Sequence, residues 1–306
     1  ARGHDVKGAT LYVTLEPCSH HGRTPPCCEA VIAAGITRVV ASIADPNPLV
    51  AGKGFARLRA AGIAVQIGPG AHESRELNLG FFSRMVRKTP WVRMKIAASL
   101  DGKTALNNGT SQWITSEAAR ADGHAWRARA CAVLTGIGTV LEDNPLLDVR
   151  LTNTPRQPHL VVVDSRLETP LDAQLFGPSR KLFIYAAEEK AARQQALEAR
   201  GATVIYLPGP GGKVDLAAML RDLAAREVNE VHVEAGHKLN GSLVREGLAD
   251  EFLLYLAPKL IGAGRNMAVL GPLDSLDAAV GLEFTASTMV GPDLRILAQI
   301  PERDSF

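Results

Sequence analysis

Two cysteines set the chemistry at the front of this chain. In Leu15-Glu16-Pro17-Cys18-Ser19-His20-His21-Gly22-Arg23-Thr24-Pro25-Pro26-Cys27-Cys28, an apolar run over 9–15 reads as a buried strand and ends at a Pro-Cys pair. A second cysteine opens a predicted helix over 27–34. Thiolates are soft ligands that suit zinc, and both a metal and a helix N-terminus favour the ionised sulfur. Cys18 and Cys27 are therefore the candidate metal ligands. A pair of buried apolar thiols, or a disulfide, is the plainer reading, but the flanking Pro, Gly and Arg fit a site better than a core. His20 and His21 have the right composition for ligands and read more readily as a solvated turn or substrate loop. Cys28 and Cys131 read as bystanders, Cys131 within the apolar run 130–134.

Three glycine-bearing stretches could bind anions. Pro208-Gly209-Pro210-Gly211-Gly212-Lys213 lacks the Ser or Thr of a phosphate loop and reads as a surface loop. Gly136-Ile137-Gly138-Thr139 follows a strand and could turn backbone N–H groups towards a phosphate. Glu234-Ala235-Gly236-His237-Lys238-Leu239-Asn240-Gly241-Ser242 is the stronger signal, a carboxylate at a strand end, then glycine, then a helix start. Ligands of open sheets gather outside the carboxyl ends of the strands.

A length of 306 residues allows two cores. The near-neutral charge of +2 and the lack of a Lys/Arg run argue against a nucleic-acid surface. Four cysteines make no disulfide framework and suit a reducing compartment. With no membrane-length apolar stretch and no visible signal peptide, the expected location is the cytoplasm. Strand and helix signals alternate over 9–68, which implies a parallel-type sheet with helices on its faces. A helix over 72–88 follows, with Leu77, Phe81 and Met85 predicted on its apolar face, and Thr89-Pro90 is the expected domain boundary. Beyond it come an apolar strand over 91–99 that carries Lys95, a turn at 100–104, and a helix from about Ser116 to Arg129, with Thr115 or Ser116 as its plausible N-cap. Strands follow at 132–135, 159–164, 181–186, 203–207, 230–235 and 252–257, with helices over 188–200, 215–226 and 239–246. A hairpin of 284–289 and 294–300 closes the pattern, which reads as a mixed sheet with flanking helices.

The wide spacing of Cys18 and Cys27, together with Asp45-Pro46-Asn47-Pro48-Leu49-Val50-Ala51-Gly52-Lys53-Gly54, resembles the deaminase half of the bifunctional riboflavin-biosynthesis deaminase–reductases. The resemblance implies an incomplete cytidine-deaminase-like α/β/α domain over 1–88 that binds zinc. The zinc deaminases carry a His-x-Glu ahead of the Pro-Cys. None lies in the sixteen residues before Pro17, and His4-Asp5-Val6 does not match. The third zinc ligand and the proton-carrying Glu are thus expected to be missing, and the chain, which has no initiator Met, is expected to lack its natural start.

Residues 91–300 resemble the reductase half of the same family through Lys95-Ile96-Ala97-Ala98-Ser99-Leu100-Asp101-Gly102, Ser111-Gln112-Trp113-Ile114-Thr115-Ser116 and Gly138-Thr139-Val140-Leu141-Glu142-Asp143-Asn144-Pro145. Val163-Asp164-Ser165, the 234–242 stretch and Leu256-Ala257-Pro258-Lys259-Leu260 extend the match. It implies a dihydrofolate-reductase-like α/β domain over 89–306 that uses NADPH. It implies cofactor contacts at Ala97, Trp113, Thr139, Asp143, Ser165 and the turn Gly236, His237, Lys238, Leu239, Asn240, Gly241 and Ser242. It implies substrate contacts at Ser111, Arg127, Leu147, Arg150 and Glu234, with Lys95 and Glu234 as the catalytic pair. Guanidinium forks suit a ribose 5-phosphate, and a lysine in a cleft could donate the proton that balances hydride addition. The implied reactions are zinc-dependent deamination of 2,5-diamino-6-(5-phosphoribosylamino)pyrimidin-4(3H)-one and then NADPH-dependent reduction of its ribosyl side chain to ribityl, with only the reduction expected of this chain. A small-molecule substrate and a homo-oligomer, a dimer by resemblance, are the expected partners, with no nucleic acid and no membrane. A stand-alone reductase with a deaminase relic, and a zinc module that binds RNA fused to a reductase, are the alternatives.

Overall fold

A computed structural model describes residues 4–22 and 24–306. The chain divides into two compact units, one running through Lys88 and including Phe306, the other Thr89–Ser305. In the first, β1 (Thr10–Leu15), α1 (Cys27–Ala33), β2 (Arg38–Ile43), α2 (Lys53–Ala60), β3 (Ala64–Ile67) and α3 (Ala71–Val86) follow in order. The three strands form a parallel sheet in the order β1-β2-β3. Its β-branched central strand buries Val39 and Val40, and α2 lays Phe55 and Leu58 inwards. Cys28 is fully buried with Val39, Leu58 and Ile63 in the core. The face of α3 differs from the sequence expectation. Leu77 is 70% exposed, while Leu79 and Phe82 are buried. Leu77, Phe81 and Met85 follow an i, i+4 spacing, but Leu79 and Phe82 follow an equally good i, i+3 spacing, and that second stripe is the buried one.

The second unit holds β4 (Trp91–Ser99), β5 (Lys103–Leu106), α4 (Glu117–Arg129), β6 (Ala132–Gly136), α5 (Ile137–Asp143), β7 (His159–Val163), β8 (Leu182–Ala186), α6 (Ala191–Ala199), β9 (Ala202–Tyr206), α7 (Leu216–Ala225), β10 (Glu230–Val233), α8 (His237–Arg245), β11 (Glu251–Ala257), β12 (Gly264–Asn266), β13 (Glu283–Val290) and β14 (Asp293–Gln299). Nine strands form one sheet in the order β13-β14-β11-β4-β10-β6-β7-β8-β9. The β13/β14 and β14/β11 pairs are antiparallel and the rest parallel, so the sheet is mixed. The turn expected at 100–104 leads instead into β5, which pairs with β12 in a separate antiparallel ribbon. Both strands are too short to leave a periodic signal in the sequence.

Helices cover both faces of the large sheet. Met94, Leu134 and Val233 pack with Leu220 and Leu223 of α7 on one face. Val133, Leu160 and Ile184 pack with Val140 of α5 and Leu197 of α6 on the other. α4 is capped by Ser116, whose Oγ accepts the Ala119 N–H at 3.3 Å. Among the mostly apolar buried side chains of β4, β10 and β11 lie three charged ones, Arg93, Glu230 and Glu251. Arg93 donates to Glu230 at 3.0 Å and to Glu251 at 2.8 Å. The Trp126 ring of α4 meets the guanidinium groups of Arg93, Arg129 and Arg295. At the sheet edge β13 is almost wholly exposed, Phe284 by 76% and Met289 by 61%. Among the described residues no helix is long and apolar enough to cross a membrane.

Candidate active site

The carboxyl ends of β4, β6 and β10 stand side by side, because β10 pairs in parallel with both of the others. A cavity of about 480 Å³ opens there. Glu234 follows Val233, whose register partners are Met94 and Leu134, so it emerges beside Lys95 at the cavity floor. Its Oε2 lies 3.7 Å from Lys95 Nζ. Arg127, from the inner face of α4, grips the same carboxylate with two bonds, Nε to Oε1 at 2.7 Å and Nη2 to Oε2 at 3.0 Å. Its remaining arm donates to the carbonyl oxygen of Asp148. Burial alone would push the Glu234 carboxyl up. The Arg127 guanidinium, then the Lys95 ammonium and His232, hold it well below the usual carboxylate range. His232 is fully buried 3.5 Å from Glu234 Oε1, and burial lowers its own imidazole pKa.

The cavity gathers most of the residues named from the sequence. Lys95, Ala97, Ser111, Trp113, Arg127, Thr139, Asp143, Leu147, Arg150, Glu234, Gly236, His237 and Asn240 all line it. Trp113 is 60% exposed, with the Arg120 guanidinium 4.5 Å from its ring centre. Arg150 pairs with Asp148 at 2.7 Å and keeps half of its side chain exposed. Burial, then the neighbouring Glu142, raise the Asp143 carboxyl.

Five expected contacts are not among the lining residues. Ser165 lies past the end of β7, where its Oγ accepts the Val214 N–H at 3.3 Å. In α8, His237 and Asn240 are three apart and share the cavity side, which turns their neighbours away. Leu239 packs in the hydrophobic core. Gly241 lies against Val269, whose carbonyl oxygen a Cβ would approach to 2.0 Å. Ser242 accepts from Arg245, and Lys238 is exposed. Arg127 differs in role rather than place. The fork assigned to a phosphate is already closed on Glu234 and Asp148. The sequence reading also missed Arg120, His124 and Arg265. Arg120, His124 and Arg127 recur at helical spacing along α4, a polar stripe that lines a smaller pocket sharing Lys95, Arg127 and Glu234 with the cavity. Arg265 sits on the unrecognised β12.

One strand-to-helix turn, at Gly236, lines the cavity, and α5 brings Thr139 and Asp143 to it. Gly236 caps α8 without any side-chain cap, which leaves the first N–H groups of that helix for a ligand. A Cβ at Gly236 would lie 3.8 Å from Thr139 Oγ1, which keeps that turn close to α5. This donor set fits an anionic dinucleotide such as NADPH.

In the first unit the Cys27 N–H points at Cys18 Sγ, 3.4 Å away. A hydrogen bond from its S–H to the Cys18 side chain, then burial, raise the Cys27 thiol. Cys28 is turned inward, its Sγ donating to the Pro17 carbonyl at 3.2 Å. Glu16 clamps the following loop by accepting the N–H groups of Asp45 (3.3 Å), Gly52 (2.9 Å) and Phe55 (3.1 Å). Among the described residues no three His, Cys, Asp or Glu side chains form a metal-holding group, so neither His20 nor His21 completes the cysteine pair. Arg23, within the same motif, lies outside the described residues. The two cysteines fit two positions of a zinc site, short of the three protein ligands of a catalytic one.

Residues 90–296 match the model of the RibD C-terminal domain. The chain belongs to the RibD family. Residues 1–43 match the zinc-binding region of the cytidine and deoxycytidylate deaminases. The riboflavin biosynthesis protein RibD of Escherichia coli is 42% identical over 95% of this chain and 82% of its own length. The structure of Acinetobacter baumannii RibD superposes with a TM-score of 0.87 at 36% identity, covering 96% of this chain and 81% of that one. A second RibD-type structure, the diaminohydroxyphosphoribosylaminopyrimidine deaminase/5-amino-6-(5-phosphoribosylamino)uracil reductase of Thermotoga maritima, gives 0.84 at 31% identity, covering 98% and 81%. The resemblance to RibD thus runs through both units.

Proposed function

We propose that the second unit reduces the ribosyl side chain of 5-amino-6-(5-phosphoribosylamino)uracil to ribityl with NADPH, in riboflavin biosynthesis. The first unit belongs to the zinc-dependent deamination of 2,5-diamino-6-(5-phosphoribosylamino)pyrimidin-4(3H)-one that precedes it. The observation that carries the reductase reading is the Lys95–Glu234–Arg127 cluster at the floor of the cavity. When bound, NADPH supplies a hydride to the sugar C1′. Lys95 Nζ then holds the proton that balances it, and Glu234, 3.7 Å away, keeps that side chain in place. A carboxylate has about four acceptor positions. Arg127 uses two, Lys95 approaches a third at 3.7 Å, and His232 stands 3.5 Å from Oε1, so an N–H of the pyrimidine would compete for the side His232 approaches. Arg150, half exposed at the rim, is the phosphate ligand, and Arg127 serves it indirectly through Asp148. Trp113, Thr139, Asp143 and the Gly236 turn line the cofactor side, with Ser165 assigned to the same ligand by family resemblance alone.

In the deaminase half, Cys18 and Cys27 would hold zinc, and no step is assigned to it in this polypeptide. A homo-oligomer, a dimer in the simplest case, belongs to the same reading. It is supported by the apolar β13 edge with Leu276, which is 92% exposed. Cytoplasmic location suits four unpaired cysteines. The test is cofactor oxidation with the already deaminated substrate. NADPH should be consumed, NADH much less, and Lys95→Met should stop turnover while the protein still binds NADPH. Failure of the wild-type chain to oxidise NADPH with that substrate would overturn the proposal.

A further inference from the structure

The segment 144–150 carries Leu147 and Arg150 into the cavity without belonging to a helix or strand. Its backbone is suspended from side chains. Arg180 donates to the carbonyls of Leu146 and Leu147, and Arg127 to that of Asp148. Gln157 closes a two-way bond with Val149, accepting its N–H at 2.8 Å and donating to its carbonyl at 2.9 Å. The next N–H, that of Arg150, donates to His124 Nδ1 at 3.2 Å. Leu147 holds φ at +50°, a left-handed conformation that a leucine adopts only when its surroundings enforce it. His124 is itself buried, 5% exposed, on the inner stripe of α4 between Arg120 and Arg127. Burial, then the charges of Arg127 and Arg150, lower its imidazole to about 4, so it is neutral with its proton on Nε2 and its Nδ1 free to accept.

We propose that His124 is a positioning residue for the substrate phosphate: by accepting the Arg150 N–H on Nδ1, it fixes the backbone from which the Arg150 guanidinium reaches the ligand. The other suspending bonds hold the backbone up to Val149; His124 takes the backbone N–H of Arg150 itself, while Asp148 pairs with the Arg150 guanidinium. This rests on the reading of Arg150 as a substrate contact. A ligand phosphate then meets a fork already placed, and less ordering is left for binding to accomplish.

The tautomer gives the test its discrimination. An asparagine places its side-chain oxygen near the Nδ1 position, whereas a glutamine reaches to the Nε2 position and a leucine offers no acceptor. His124→Asn, His124→Gln, His124→Leu and Arg150→Ala would be compared by hydrogen exchange over 147–151 in the ligand-free protein, and by steady-state reduction. His124→Leu and His124→Gln should exchange that segment faster. They should raise the substrate KM by about three- to tenfold, the range of one hydrogen bond, with kcat and the NADPH constant within about twofold of wild type. His124→Asn should restore both readouts. Unchanged exchange in His124→Leu, or equal behaviour of the three His124 variants, would overturn the inference whatever the substrate. If exchange responds but Arg150→Ala leaves the substrate KM unchanged, the assignment of Arg150 to the substrate is what fails, and the positioning role goes with it.

Discussion

Replacing Arg127 by methionine probes the cluster on which the site depends. The side chains of Arg127 and Glu234 are only 10% and 13% exposed, so the pair is far from a screened surface contact. Arg127→Met keeps much of the apolar stem and removes both short bonds to the carboxylate. Two charge-assisted hydrogen bonds at about 1.5–3 kcal/mol each set an upper scale of about 3–6 kcal/mol. Breaking a buried pair and stranding one charge costs about 3–5 kcal/mol. For a unit of this size each kcal/mol moves the melting point by about 2–4 °C, which predicts a fall of about 6–20 °C. All three tryptophans, Trp91, Trp113 and Trp126, lie in the second unit, so tryptophan fluorescence follows its melting selectively. The pH dependence carries a sign. The folded carboxyl of Glu234 is depressed, so its stabilisation is full above the unfolded value of about 4.3 and is lost as pH falls through the folded one. With Arg127 gone, only Lys95 and His232 oppose burial, and acid loss should begin at higher pH. Adding Glu234→Gln should recover part of the stability, since no stranded charge remains. A loss below about 1 kcal/mol for Arg127→Met would place the pair among solvated contacts and refute the reasoning.

Arg150→Lys should raise the substrate KM by about 1–3 kcal/mol in binding terms and spare the NADPH constant, as measured by steady-state kinetics, because an ammonium cannot reproduce a planar fork. Gly54→Ala should destabilise the first unit by about 1–3 kcal/mol, read as faster hydrogen exchange over α1 and α2, since a Cβ there would lie 1.9 Å from the Pro17 carbonyl oxygen. A polypeptide of these 306 residues should bind zinc weakly, by metal analysis after dialysis, and release no ammonia from the diamino substrate; robust ammonia release would force a new ligand assignment with His20 or His21 first in line.

Much of this architecture was legible where local pattern and burial agree. The apolar run before Pro17 is a strand, Ser116 caps α4, and Glu234 stands at a strand end before a glycine-opened helix. The α3 face was misread because two stripes of similar apolarity compete there, and only tertiary packing decides between them. Arg127 was recognised as a cavity residue but not as the partner of Glu234. That bond spans 107 residues and leaves no local trace. The suspended loop escaped notice for the same reason, since its order comes from His124, Gln157 and Arg180 rather than from any turn signature of its own.

The place of β10 has a consequence for how the unit forms. It lies between β4 and β6, yet starts 131 residues after β4 ends (230 − 99) and 94 after β6 ends (230 − 136). A nascent chain emerging from the ribosome carries β4 and β6 long before the strand that joins them. Until residues 230–233 arrive, both flanking strands present open hydrogen-bonding edges. Glu234, next after that segment, joins Lys95 and Arg127 at the moment the sheet closes. Ribosome-stalled chains ending shortly before Glu230 should therefore bind chaperones or aggregate, and chains that have exposed α8 should resist proteolysis, so that the maturity of the fold and the arrival of the Glu234 carboxylate are one event.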